Sequence, residues 1–191
     1  MATDTPDVPL RAREHLHALH TRLTDVQDAY QGDEERPLGG FLTLMGVFAG
    51  GVGGAALLAR GLGREMPDRF SAQDLFLLTV ATHKASRLIS KDAVTAPFRA
   101  PFTRFVGPAG DGENMEEVRG SGLRHSVGEL LTCPFCTSVW VATGLVAGGV
   151  LAPRLTRSVA AMLTAVFGSD LLHLAYDAAK QLPERAQPDG D

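Results

Sequence analysis

The clearest candidates for chemistry in this sequence are its two cysteines, Cys133 and Cys136, in a Cys-Pro-Phe-Cys segment. Pro134 favours the first position of a helix, so we expect Cys133 to cap that helix and Cys136 to lie in its first turn. Unpaired amides and the helix dipole stabilise a thiolate there. The spacing therefore favours thiol-disulfide chemistry, with Cys133 attacking and Cys136 resolving, or metal binding. The simpler alternative is a pair of reduced thiols that pack the helix end.

Either chemistry needs further groups. A glutaredoxin or thioredoxin site requires a βαβ framework, and nothing in this chain alternates strand with helix. Membrane thiol oxidoreductases relay electrons through a second cysteine pair, whereas this chain has two cysteines in all. A zinc site needs four ligands and would have to recruit His83, His125 or a second copy. We therefore predict no cofactor, leave zinc as the metal that this pair could help to bind, and favour a non-enzymatic role.

A second candidate group is charged. Asp170 and His173 interrupt an otherwise apolar stretch and share a helical face, and ionisable groups within a bilayer usually face a partner or a cavity. A pair between Asp170 and Lys84 or Arg87 is geometrically reasonable. In the simpler alternative, the two basic side chains snorkel and Asp170 makes one structural salt bridge. The predicted polar cluster, at the cytoplasmic helix ends, consists of Lys84, Arg87, Asp92, Arg99, Glu129, Asp170 and His173.

Long uncharged segments must position these groups. Residues 37–59 and 130–153 contain 23 and 24 residues without Asp, Glu, Lys or Arg, enough to cross a hydrocarbon layer of about 30 Å. Residues 158–176 form a further span, while residues 70–89 carry three charges and could span or lie on the surface. The sequence thus predicts an all-α, polytopic membrane protein with four spans. A soluble bundle would normally keep a polar stripe on each helix.

The distribution of charge divides the chain into regions. We predict a polar N-terminal segment with a short amphipathic helix, a glycine-rich span, a membrane domain with one cytoplasmic loop, and a polar tail. These regions are residues 1–36, 37–59, 70–177 (with the loop at about 90–130) and 178–191.

The loop itself is predicted to have two parts. Phe98, Phe102 and Phe105 alternate with Arg99 and Arg104, a pattern that suits the lipid headgroup boundary or, alternatively, a docking surface for a cytoplasmic protein. Residues 107–122 are glycine-rich and aperiodic, which predicts a mobile linker.

The Lys and Arg residues indicate the orientation in a cell membrane. Four spans with a cytoplasmic N-terminus leave thirteen of the eighteen inside, and three spans with an external N-terminus leave twelve inside. Both alternatives put the loop and the C-terminus in the cytoplasm. The side of the N-terminus is left open.

Glycines predict helix-packing faces. Gly46, Gly50 and Gly54 form GxxxG steps in the first span, and Trp140, Gly144 and Gly148 follow Cys136 at four-residue intervals. These faces could pack within the chain or between copies. Expected partners are therefore the bilayer, a second copy and a cytoplasmic protein. A net charge of -4 argues against nucleic acid.

The order of motifs resembles a bacterial family catalogued as domain of unknown function 1360, over about residues 75–174. The matching motifs are Lys84-x-x-Arg87-Leu88-Ile89-x-x-Asp92, Pro97-Phe98-Arg99, and Gly128-Glu129-Leu130-Leu131-x-Cys133-Pro-Phe-Cys136-x-x-x-Trp140. The resemblance implies a small membrane protein, in some members linked to sporulation, and no activity. Lys84 stands where the family tends to have Arg.

Overall fold

The computed structural model describes residues 10–31 and 36–185 and is mostly helical. A short 3-10 turn at Ala93–Thr95 follows the third helix. The elements are α1 (Leu10–Gln31), α2 (Leu38–Gly61), α3 (Ala72–Ser90), α4 (Ala96–Arg99), β1 (Thr103–Gly110), β2 (Glu113–Val118), α5 (Gly122–Thr132), α6 (Pro134–Leu151) and α7 (Pro153–Arg185).

Helix α3 packs against both α6 and α7, which also contact each other. Its small side chains let the backbones approach closely, and the buried core cluster is Ala81, Ala160 and Leu163. The end of α3 meets the start of α6, because the Ser90 hydroxyl donates to Thr137 Oγ1 at 3.1 Å. Helix α3 is therefore antiparallel to α6.

Two ion pairs set the direction of α7. Arg157, in its first turns, bonds Asp74 near the start of α3 at 2.8 Å, and Asp170 bonds Lys84 further along at 3.0 Å. Both helices thus run the same way, and α6 runs against them.

Helix α2 packs on α5 and α6 through its first half. Phe48 meets Trp140 edge to face, with ring centroids 5.1 Å apart. Gly40 lies against α5, where Ser126 also contacts Pro37 O at 3.4 Å. Consequently α2 and α6 begin at the same end of the bundle.

Three helices are long and apolar enough to cross a membrane: α2, α6 and residues 153–181 of α7. Helix α3 is not one of these. Its 19 residues carry Asp74, Lys84 and Arg87, which lower its apolar character. Apolarity alone therefore accounts for three of the four predicted spans.

The all-α prediction was incomplete, and the prediction of a mobile linker over residues 107–122 was wrong. Strands β1 and β2 form an antiparallel hairpin there. Gly112 turns the chain with φ +74, a conformation that favours glycine. The hairpin is also tied to the end of α3, because Ala93 N donates to Gly112 O at 2.8 Å and Asn114 N to Lys91 O at 2.9 Å. These tertiary contacts order a segment whose composition resembles a linker.

Most of the glycines expected to form packing faces have open space beside them within residues 10–31 and 36–185. A Cβ at Gly46, Gly50, Gly54 or Gly144 would have no atom within 4 Å, whereas one at Gly148 would lie 2.7 Å from Thr156 Oγ1.

Two close approaches involve glycines that were not singled out. A Cβ at Gly40 would overlap Ser126 Oγ and lie 3.0 Å from Gly122 O, and a Cβ at Gly128 would lie 2.6 Å from Val118 Cγ1. At these two positions, any side chain would overlap the neighbouring element, so glycine is needed where α2 and the hairpin pack against α5.

We expect Gly40→Ala to destabilise the protein by about 1–3 kcal/mol through overpacking against α5. Gly46→Ala, in the same helix with open space around it, is the matched control and should cost nothing measurable. Thermal unfolding of the purified protein in detergent would measure both. Equal melting temperatures for the two variants would contradict this packing.

Candidate functional site

The residues between α3 and α6, 91–132, form a compact unit that we call the cap, and its centre is the fully buried Arg99. All five N–H donors of the guanidinium are used. They reach both carboxylate oxygens of Glu116, at 2.7 and 3.0 Å, and the oxygens of Ile89, Thr95 and Asp92 at 2.7 to 3.1 Å. One side chain therefore joins the end of α3, the 3-10 turn and β2.

The Glu116 carboxylate accepts hydrogen bonds from a second residue besides Arg99. Thr103 donates to its carboxylate at 2.8 Å. Burial by itself would raise the pKa of the Glu116 carboxyl, but the hydrogen bonds from Arg99 and Thr103 and the charge of Arg99 hold that pKa below its ordinary value of 4.5. Since the folded-state pKa is lowered, this carboxylate stabilises the cap above the ordinary pKa, and the contribution is lost as the pH falls through the lowered value.

Lys84 forms a second ionic centre, between the cap and α7. Its ammonium lies 3.3 Å from Asp92 Oδ2 and 3.0 Å from Asp170 Oδ2. One turn further along α3, Arg87 Nε donates to Glu113 Oε1 at 3.1 Å. Helix α3 is thus joined to the cap and to α7 by two basic residues that lie one turn apart.

Glu129 belongs to a different part of the cap. Arg36 Nη1 lies 2.7 Å from its carboxylate, and His125 Nε2 lies 3.2 Å from the same oxygen. This contact ties the chain just before α2 to α5. His173, also expected in the cluster, is exposed on α7.

The structure therefore divides the predicted cluster into separate centres. Lys84, Asp92 and Asp170 come together, and Arg87 is joined to the hairpin. The expected location of Arg99 at the lipid boundary was wrong, because its charge is buried against Glu116.

Sequence reasoning missed the acidic partners, Glu113 and Glu116, since it assigned them to a linker. The available signal was the run of acidic residues following a basic segment.

The sulfur atoms of the two cysteines are 2.7 Å apart. Cys133 is confirmed as the N-cap of α6, with Pro134 at the first helical position, and its sulfur accepts from Cys136 N at 3.3 Å. Cys133 is half-buried and Cys136 is exposed, and both are free thiols. Such a pair can become a disulfide by giving two electrons and two protons to an external disulfide, which is reduced to two thiols.

Cys136 also lines an apolar groove of about 600 Å³ between α2, α5 and α6. The groove residues include Phe41, Met45, Phe48, Cys136, Val139 and Trp140. Within the residues that the structure describes, no three His, Cys, Asp or Glu side chains are grouped so that they could hold a metal ion. Among these described residues, no third side chain of these types joins the two thiols in such a group.

Comparison with known proteins gives two matches. The family described as "Protein of unknown function (DUF1360)" matches residues 77–176, from α3 through the cap to α7. The sporulation protein YjcA of Bacillus subtilis (strain 168) is 32% identical over 83 residues, which are 42% of this chain and 70% of that protein. No solved structure matches the chain. The family match contains the cap and leaves out α1 and α2.

We expect Arg99→Lys to lower the local stability of the cap by at least about 2 kcal/mol, because an ammonium cannot reproduce the five bonds of the guanidinium. Arg104→Lys is the matched control. Arg104 pairs with Glu117 on the exposed surface of the same hairpin, so its replacement should cost less than about 1 kcal/mol. Hydrogen exchange of the amides in β1 and β2 would measure both effects. Similar exchange rates in the two variants would show that Arg99 does not organise the cap.

Proposed function

This chain belongs to the DUF1360 family of proteins of unknown function, and from that premise we propose that it is a four-span membrane protein that serves as a non-enzymatic docking module. The spans would hold the cap at the cytoplasmic face of the cell membrane. The cap would offer an apolar surface to a protein partner.

The proposal of a fourth span rests on how α3 packs. It lies along both α6 and α7, and its ion pairs with α7 lie near its start, at Asp74, and about two-thirds of the way along, at Lys84. Its 19 residues are about 28 Å long, close to the thickness of the hydrocarbon layer. If α6 and α7 cross the bilayer, α3 crosses with them. Pairing with α7 lowers the cost of its charged residues.

The contact between Arg36 and Glu129 supports an N-terminus on the cap side. With three spans and an external N-terminus, these two residues would lie on opposite sides of the membrane. With four spans they share a side, and thirteen of the eighteen Lys and Arg residues lie there too. The excess of positive charge supports a cytoplasmic cap.

The observation that carries the docking role is that a cap held together by internal hydrogen bonds exposes three large apolar side chains. Phe98 is 79% exposed, Val94 77% and Phe105 62%. A large exposed apolar patch commonly marks an interaction site, and we propose that these side chains form one. Because the Arg99 network holds the backbone beneath them, these side chains are presented without a large ordering cost on binding.

The charge of the cap favours a protein over lipid headgroups as the partner. Arg99 is neutralised internally by Glu116, and without this pair residues 91–132 carry four basic and five acidic side chains. A net charge of -1 gives no attraction to an anionic leaflet, which weakens the headgroup interpretation of the Phe and Arg pattern.

The alternative function, a membrane thiol-disulfide oxidoreductase or metal-binding protein using Cys133 and Cys136, has support only from the short distance between the sulfur atoms. A relay would need a second cysteine pair, and the sequence has none. We therefore assign the thiols to packing at the start of α6, where the neighbouring Thr137 is buried and bonds both α3 and α5.

The topology can be tested with single cysteines introduced into a Cys133→Ser, Cys136→Ser background. Asp111→Cys in the cap and Asp177→Cys near the C-terminus should react with a membrane-impermeant maleimide from the cytoplasmic side. Asp68→Cys, between α2 and α3, should react only from the other side. Labelling of both Asp68→Cys and Asp111→Cys from the cytoplasm would exclude a membrane-crossing α3.

Docking can be tested with a photo-crosslinking amino acid at position 98 in intact cells. We expect a discrete protein adduct, since position 98 belongs to the docking surface. The same amino acid at position 57, an exposed position in the distal half of α2, is the matched control and should yield lipid adducts. Only lipid adducts from position 98 would contradict a protein-docking cap.

A further inference from the structure

We propose that the end of the bundle remote from the cap holds a binding site for an anionic phospholipid. A cavity of about 610 Å³ lies there between the α2–α3 connection, α3, α6 and α7. Its volume is within the range of roughly 300–1,000 Å³ typical of ligand sites. This inference rests on the proposed function, because it requires the helix ends to lie at a membrane boundary.

Arginines are concentrated in this cavity, at an end of the bundle that carries few other basic residues. Five Lys or Arg residues lie at that end of the bundle, and three of them line this one cavity: Arg64, Arg69 and Arg157. The acidic residues in the lining are Glu65 and Asp74, so the lining carries a net charge of +1.

The three arginines differ in their contacts. Arg157 is held by Asp74 at 2.8 Å and fixes α7 against α3. Arg64 and Arg69 are exposed and make no ion pair within the part of the chain that the structure describes. Their guanidinium groups are available to a phosphate, which they can bind with two parallel hydrogen bonds each.

The other walls of the cavity are apolar. Leu77 and Leu145 line it and also pack on the core cluster, and Val146 and Val150 extend the apolar wall along α6. The cavity is therefore charged at the connecting segment and at the first turns of α3 and α7, and apolar further along α3 and α6. An anionic phospholipid likewise has a charged head group and apolar acyl chains. A free phosphate would leave the apolar wall of the cavity uncovered.

The test uses the full chain, purified in detergent and titrated with phosphatidylglycerol or phosphatidylcholine while native mass spectrometry counts bound lipid. Phosphatidylglycerol should bind at least tenfold more tightly than phosphatidylcholine. The double variant Arg64→Gln, Arg69→Gln should lose at least tenfold in phosphatidylglycerol affinity. The matched control Arg60→Gln, Arg154→Gln removes two charges from the same side but outside the cavity, and should change the affinity by less than twofold.

Three results would overturn the lipid site. They are equal affinities for the two lipids, equal losses in the two double variants, and glycerol phosphate binding as tightly as phosphatidylglycerol, which would indicate a soluble phosphate ligand. Alkaline carbonate extraction separates this failure from that of the proposed function. If the protein stays in the membrane but shows no lipid preference, only the lipid site is rejected. If carbonate extracts the protein, the proposed function is rejected as well.

Discussion

The buried ion pair between Arg99 and Glu116 is the interaction on which the cap depends. Removing a guanidinium and a carboxylate from water is costly, and the cost is offset only when the remaining donors and acceptors are satisfied. Here all five guanidinium donors are bonded, and the carboxylate also accepts from Thr103. Because its partners come from α3, the 3-10 turn and β2, the pair sets the relative position of all three.

A related constraint acts among the long helices. Helix α3 carries three charged residues, and each has a partner outside the helix. Asp74 pairs with Arg157, Lys84 with Asp92 and Asp170, and Arg87 with Glu113. Electrostatic pairing therefore allows a charged helix to pack against the more apolar helices α6 and α7.

Because these charged groups bond to one another within the fold, other residues form the exposed surface. The cap exposes phenylalanine and valine side chains, and the glycine steps of α2 meet no other part of the described chain. The remote cavity keeps exposed arginines beside an apolar wall. The exposed apolar side chains of the cap and the arginines of the cavity thus lie at opposite ends of the bundle.

The sequence by itself determined the long apolar helices, the capping role of Cys133 and the family, since each depends on local composition, spacing or a linear motif. It left Lys84 and Arg87 as alternative partners of Asp170, and the tertiary structure pairs Asp170 with Lys84. Only the tertiary structure decided that residues 103–118 pair as strands, because the order there comes from Arg87 and Arg99 reaching acidic residues distant in sequence. It also decided that Gly40 rather than Gly46 is a contact glycine. Periodicity gives the face of a helix, but what lies opposite that face depends on how the whole chain packs.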